Sequence, residues 1–143
     1  MKRLIVALMF VFAATNPGYC QDTPTPIPAF EVHGPTIVAF FPHMSDADMD
    51  ADPDMNEVLS DFQLYVGAAS GPLKKSGVDF QMASARAFQV RIGTKVRLFQ
   101  TGKIGIGYCF VVPGKKEYFQ YGVMTDADIL ETAGRYFGIA IKK

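Results

Sequence analysis

The chain has 143 residues, 49% of them hydrophobic and 20% charged, with 14 Lys and Arg against 14 Asp and Glu. That length is enough for one domain around one core, and there is no internal repeat to suggest an array. The even charge balance argues against bulk nucleic-acid binding, which needs a basic excess.

At the N-terminus, Lys2 and Arg3 precede an apolar stretch from Leu4 to Ala14, followed by the helix-breaking Thr15-Asn16-Pro17-Gly18-Tyr19-Cys20. This is the layout of a secretory signal peptide over residues 1–20, and the apolar part is too short to span a bilayer comfortably. Cleavage after Cys20 puts Gly18 and Cys20 at the small-residue positions. Cleavage after Ala13 and lipidation of Cys20 are the alternatives. No other segment is apolar enough to cross a membrane, so we expect a periplasmic or secreted protein with no stable span in its mature form. Removing Lys2 and Arg3 leaves twelve cations against fourteen acids, a net charge of −2. Residues 21–29 are Pro-rich and read as an extended leader. Residues 30–143 are the folded domain.

Thr36 to Phe41 is a short apolar strand. It feeds an acidic loop, Ser45-Asp46-Ala47-Asp48-Met49-Asp50-Ala51-Asp52-Pro53-Asp54, and then a helix from Asp54 to Ala69. On that helix Val58, Leu59, Phe62, Tyr65, Val66 and Ala69 share one face. Pro53 and the carboxylates suit a helix start, where free amide groups favour negative charge, and Gly71-Pro72 should stop the helix. Asp46, Asp48, Asp50, Asp52, Asp54 and Glu57 also fall at positions 1, 3, 5, 7, 9 and 12 of a twelve-residue window. That is the oxygen-ligand spacing of an EF-hand-type calcium loop, with Glu57 as the bidentate end. Ala51 and Pro53 oppose it, since the turn wants Gly and the following position a free N–H. No cofactor is therefore expected, with calcium on Asp46, Asp48, Asp50, Asp52 and Glu57 as the alternative.

Strands follow at Val78 to Ala83, Ala87 to Ile92 and Lys95 to Phe99, the last two forming a hairpin around Gly93-Thr94. Between Phe80 and Lys116 there are seven cations and no acid. Arg91, Lys95 and Arg97 occupy odd positions among Val90, Ile92, Val96 and Leu98, a spacing that predicts cations on one face and aliphatics on the other. With Phe99 beside them, these residues are the candidate binding surface for an anionic ligand or an acidic partner. A solvated sheet face is the alternative. Ile104 to Val112 is a further strand. Pro113-Gly114 makes a tight turn, and Glu117 to Tyr121 pairs back. Thr125-Asp126-Ala127-Asp128 opens a last helix that ends at Gly138.

Cys109 lies in Ile106-Gly107-Tyr108-Cys109-Phe110-Val111-Val112 and reads as a small hydrophobe in a core strand. A redox thiol would need an accessible, electropositive site. His33 and His43 flank the first strand and need not converge. No nucleophile elbow or zinc-protease motif occurs. Gly102, Gly105 and Gly107 lead into a strand rather than a helix, so they are no phosphate loop. The clustered carboxylates are unlike two groups set across a glycosidic bond.

The order of these pieces resembles the thioredoxin-like superfamily. The matching parts are Pro35-Thr36-Ile37-Val38-Ala39-Phe40-Phe41, the helix Asp54 to Ala69, Val78-Asp79-Phe80, the hairpin Tyr108 to Tyr121 and the segment Thr125 to Phe137. The resemblance implies an α/β three-layer sandwich, a central mixed sheet flanked by helices, with an extra β-hairpin. Three features depart from it. The acidic loop stands where the Cys-x-x-Cys motif would be, Ile106-Gly107 stand where a proline would precede the fourth strand, and the basic hairpin replaces the intervening helix. Family redox activity therefore does not carry over. The expected function is an exported binding or interaction module for an envelope or extracellular protein or an anionic ligand. The alternatives are a thiol-dependent activity through Cys109 and a calcium-linked structural role.

Overall fold

The computed structural model describes residues 26–44, 46–101 and 105–142. The expected signal segment, the first part of the leader, Ser45 and Ile104 lie outside these residues, and the side chains of Asp46 and Met49 are not described. Seven strands and three helices follow in the order β1 (Ala29–Glu31), β2 (Thr36–Phe41), α1 (Asp46–Ala51), α2 (Pro53–Lys75), β3 (Asp79–Ser84), β4 (Ala87–Ile92), β5 (Lys95–Gln100), β6 (Gly107–Val111), β7 (Tyr118–Tyr121) and α3 (Asp126–Phe137). The architecture is α/β with two mixed sheets. Among the described residues no helix is long and apolar enough to cross a membrane.

The larger sheet runs β3-β2-β6-β7. β2 pairs parallel with β3 and antiparallel with β6, and β6 pairs antiparallel with β7. α2 is the crossover that a parallel β2–β3 pair requires. The smaller sheet runs β1-β4-β5, with β1 parallel to β4 and β4 antiparallel to β5.

Period-two alternation divides the central strands between two cores. Ile37, Ala39, Tyr108 and Phe110 point to the helices, where they meet Leu59, Phe62, Val66, Ala69 and Leu73 of α2 and Ile129 and Ala133 of α3. Val38, Phe40, Cys109 and Val111 point to the other side and meet Phe88 and Val90 of β4. The larger sheet is therefore covered by helices on one face and by a sheet on the other, not by helices on both as expected. The reason is local: Phe88, Val90 and Ile92 alternate at strand spacing, so this stretch can bury an apolar side only as a strand. Aromatic contacts join the two sheets, with Phe40 on Phe88 (5.7 Å) and Phe99 on Phe119 (5.1 Å between ring centroids).

Gly107 is fixed by close approach. A Cβ there would meet the Gln120 carbonyl oxygen and come within 2.9 Å of the Phe40 ring.

The second helix is longer than its sequence suggests. Gly71-Pro72 does not end it; it runs to Lys75 with Pro72 inside. Leu73, fully buried in the helix-side core, offsets the hydrogen bond that Pro72 cannot donate. At its start the backbone breaks at Asp52 (φ −132°), since a following proline disfavours the helical region. The Asp52 Oδ1 accepts from the Met55 N–H (3.0 Å). α3 begins as expected: Thr125 Oγ1 accepts from the Asp128 N–H (3.2 Å), and Gly138 closes the helix in the left-handed region.

Candidate functional site

Open α/β sheets keep their ligands at the C-terminal ends of parallel strands. Here β2 and β3 end at Phe41 and Ser84. Beyond them His43, Ser84, Ala85 and Arg86, with Pro26 and Ile27, line a cleft of about 360 Å³. The Thr101 hydroxyl, almost wholly buried, holds the turn by donating to the Arg86 carbonyl (2.9 Å). His43 and His33 do not converge, because β2 lies between them and its six residues span roughly 20 Å. Among the described residues no hydrogen bond links His43 to Ser84.

The acidic segment is not a loop. Asp46, Asp48 and Asp50 belong to α1, Asp52 caps α2, and Asp54 and Glu57 lie in the first turns of α2. Helical residues two apart do not share a face, so Asp48 and Asp50 lie on different sides of α1. Pro53 favours this arrangement, since it suits the first position of a helix and disfavours helical backbone before it. Among the described residues no three His, Cys, Asp or Glu side chains gather at a point that could hold a metal.

The basic hairpin corrects a second expectation. Its loop has two residues, Gly93 and Thr94, so Ile92 pairs with Lys95, Arg91 with Val96, Val90 with Arg97, Gln89 with Leu98 and Phe88 with Phe99. Paired residues share a face. Odd positions on β4 therefore share a face with even positions on β5, and the three cations divide. Arg91 lies on the outer face with Val96 and Leu98. Lys95, Arg97 and Phe99 lie on the face of Val90, toward the larger sheet. Arg91 reaches Glu31 of β1 (3.0 Å), and Arg97 reaches Glu117, whose side chain is 11% exposed. The Arg97 guanidinium also lies 5.5 Å from the Phe99 ring centroid. Phe99 is packed between Phe88 and Phe119.

Sequence reasoning overlooked Val96 and Leu98, which remain 50% and 52% exposed on the outer face. The two-residue loop was the signal that would have placed them there. Among the described residues β5 pairs with β4 alone, so its second edge carries unpaired backbone groups.

Cys109 is a free cysteine with no solvent exposure, opposite Val38 on β2. Burial, helped by the nearby Glu117 carboxylate and opposed by Arg97, pushes its thiol up to about 12. Near neutral pH such a thiol is held in its protonated form. On the far side of the molecule an apolar groove of about 600 Å³ runs between α2 and α3, past Ala68, Pro72, Leu130, Ile139 and Ile141. Compared with known proteins, the chain matches no family, no curated protein and no solved structure.

Proposed function

We propose that this chain is an exported, non-catalytic binding module of thioredoxin-like type, working through the β4–β5 hairpin. The strand order supports the type. A parallel β2–α2–β3 unit beside an antiparallel β6–β7 pair supports that type, while the second face of the sheet carries strands where the resemblance implies helices. The lysine–arginine pair and apolar run at the N-terminus support export.

The observation that carries the non-catalytic reading is the position of sulfur. The stretch after β2, where relatives would hold their thiols, contains none, and Cys109 is sealed inside the second core with its pKa near 12. The hairpin supports binding through apolar side chains rather than through charge. Arg91 and Arg97 are already paired to carboxylates of the same chain, whereas Val96 and Leu98 face outward.

Two measurements test this. The folded protein should not catalyse insulin reduction, and Cys109 should resist alkylation until the chain is denatured. Insulin turnover abolished by Cys109→Ser, or alkylation of folded protein as fast as of a free thiol, would overturn the reading.

A further inference from the structure

Where the connection from β6 to β7 meets the last turns of α3, Lys115, Tyr118, Thr132, Arg135 and Tyr136 line an open cleft of about 390 Å³. Thr132, Arg135 and Tyr136 stand three and four residues apart on α3 and so share one face of it. The two walls are fixed to each other by the fold. The Lys115 ammonium donates to the Tyr136 carbonyl (2.6 Å) and lies 4.2 Å from the centroid of the Tyr136 ring. The Tyr136 hydroxyl donates in return to the Lys116 carbonyl (2.6 Å), and the Tyr118 and Tyr136 rings stack at 6.1 Å.

Two groups in this cleft have no partner in the fold. Thr132 is 8% exposed, yet its hydroxyl makes no hydrogen bond among the described residues, not even to the carbonyl one turn back. No sealed side-chain polar atom of the described residues lacks a partner. The Thr132 oxygen is therefore not sealed, and it opens through the cleft that the residue lines. Arg135 is exposed, and among the described residues neither it nor Lys115 is paired to a carboxylate. The neighbouring acids do not supply one. Glu117 is held by Arg97, Asp128 accepts from the Thr125 hydroxyl, and no carboxylate lines the cleft. Closing the negative end of α3 accounts for Lys115 and favours Arg135. It does not account for a hydroxyl left open beside them.

We propose that this cleft binds a small phosphate ester, its phosphoryl group held by Thr132, Arg135 and Lys115 and its organic part lying against the Tyr118 ring. This goes beyond the role proposed for the hairpin and does not rest on it.

The donors select the charge. Lys115 spends one N–H on the Tyr136 carbonyl and keeps the others, Arg135 offers a planar fork, and Thr132 adds a hydroxyl. Two cations without a counter-charge favour an anion. Donors arriving from two elements suit a phosphoryl group, with three acceptor oxygens and a charge near −2, better than a carboxylate with two oxygens and a single charge. The volume selects the rest. A water molecule takes about 30 Å³ in the liquid, so the cleft has room for far more than a phosphoryl group alone. Tyr118, 40% exposed, supplies an aromatic wall for the remainder.

Two-dimensional NMR of the full chain, titrated at low salt with phenyl phosphate, inorganic phosphate and benzoate, tests the site. Phenyl phosphate should shift the amides of Lys115, Thr132 and Arg135 and bind severalfold more tightly than either other probe. Thr132→Val keeps the shape and loses the hydroxyl. It should raise Kd about tenfold, as expected for one hydrogen bond to a charged group. Because that hydroxyl has no partner in the fold, the thermal midpoint should not fall. Arg135→Gln should weaken binding at least as much and flatten its dependence on salt. Arg91→Gln, on the hairpin, should leave the affinity unchanged. No shift at millimolar phenyl phosphate, shifts centred elsewhere, or an affinity that survives Thr132→Val and Arg135→Gln would overturn the proposal. Inorganic phosphate binding as tightly as phenyl phosphate would overturn the assignment of an ester, and benzoate doing so would overturn that of a phosphoryl group. Insulin turnover would sink the non-catalytic reading and leave this site standing.

Discussion

Cys109 stands on β6 between Tyr108 and Phe110, which face the helices, while its own side chain faces the second sheet. Its pKa is raised from 9.0 to about 12, first by burial and then by Glu117. In the unfolded chain the thiol ionises near its ordinary value, and in the folded chain it stays protonated. Stability from this group is thus fully present below about pH 9 and is lost as pH rises from there toward 12. Tyr108 and Tyr136 are shifted upward by burial too and act in the same direction. Chemical denaturation across pH 8 to 11 should show stability falling, and Cys109→Val should flatten part of the fall. If the variant and the parent lose stability in parallel, the buried thiol is not the source.

At the scale of elements, α2 is where local preference and packing disagree. A proline within a helix costs on the order of 3 kcal/mol, yet α2 continues through Pro72 because Leu73 must reach the core. The residue stays compatible with the fold at a cost, and part of that cost is returned by the stiffer unfolded chain. Pro72→Ala should therefore stabilise the protein by about 1–2 kcal/mol, read as a higher urea midpoint with an unchanged slope. A lower midpoint would mean that the ring itself packs productively in the groove between α2 and α3. The hairpin shows the complementary case, in which a short turn overrules a charge pattern. Two residues rather than three between β4 and β5 decide which cations turn inward to Glu117 and which aliphatics meet water.

For the molecule as a whole, the larger sheet is shared by two cores, so neither can melt alone without stripping a face of β2 and β6. Phe88→Ala, on the second-sheet side, should cost about 3–5 kcal/mol and lower the midpoint of a single transition. A separate early transition in near-UV circular dichroism would show that the smaller sheet unfolds by itself. Much of this architecture was legible beforehand. β2 has the limits of its apolar run and β4 those of its alternation, and α3 starts and stops at its Thr125 and Gly138 signals. β1 was not legible, because three residues are too few to show a period and prolines precede them. The helical acidic segment was missed because carboxylates at alternate positions look alike in a curled loop and in a helix. At the candidate surface the hairpin was legible from its alternation and its Gly93-Thr94 turn, but the spacing put Arg91, Lys95 and Arg97 on one face, whereas the register separates Arg91 from Lys95 and Arg97.

The pairing of β2 with β6 has a temporal consequence. Thr36 lies against Val111, so the centre of the sheet closes a loop of about 75 residues, whereas β4 and β5 meet across two. Loop-closure entropy delays the first and hardly touches the second. During synthesis the hairpin is complete while β2 still lacks its antiparallel neighbour, and neither core can seal until β6 has left the ribosome. The hairpin is therefore among the earliest ordered pieces of this chain, and β2, later buried at all but its last position, waits for β6 to cover it.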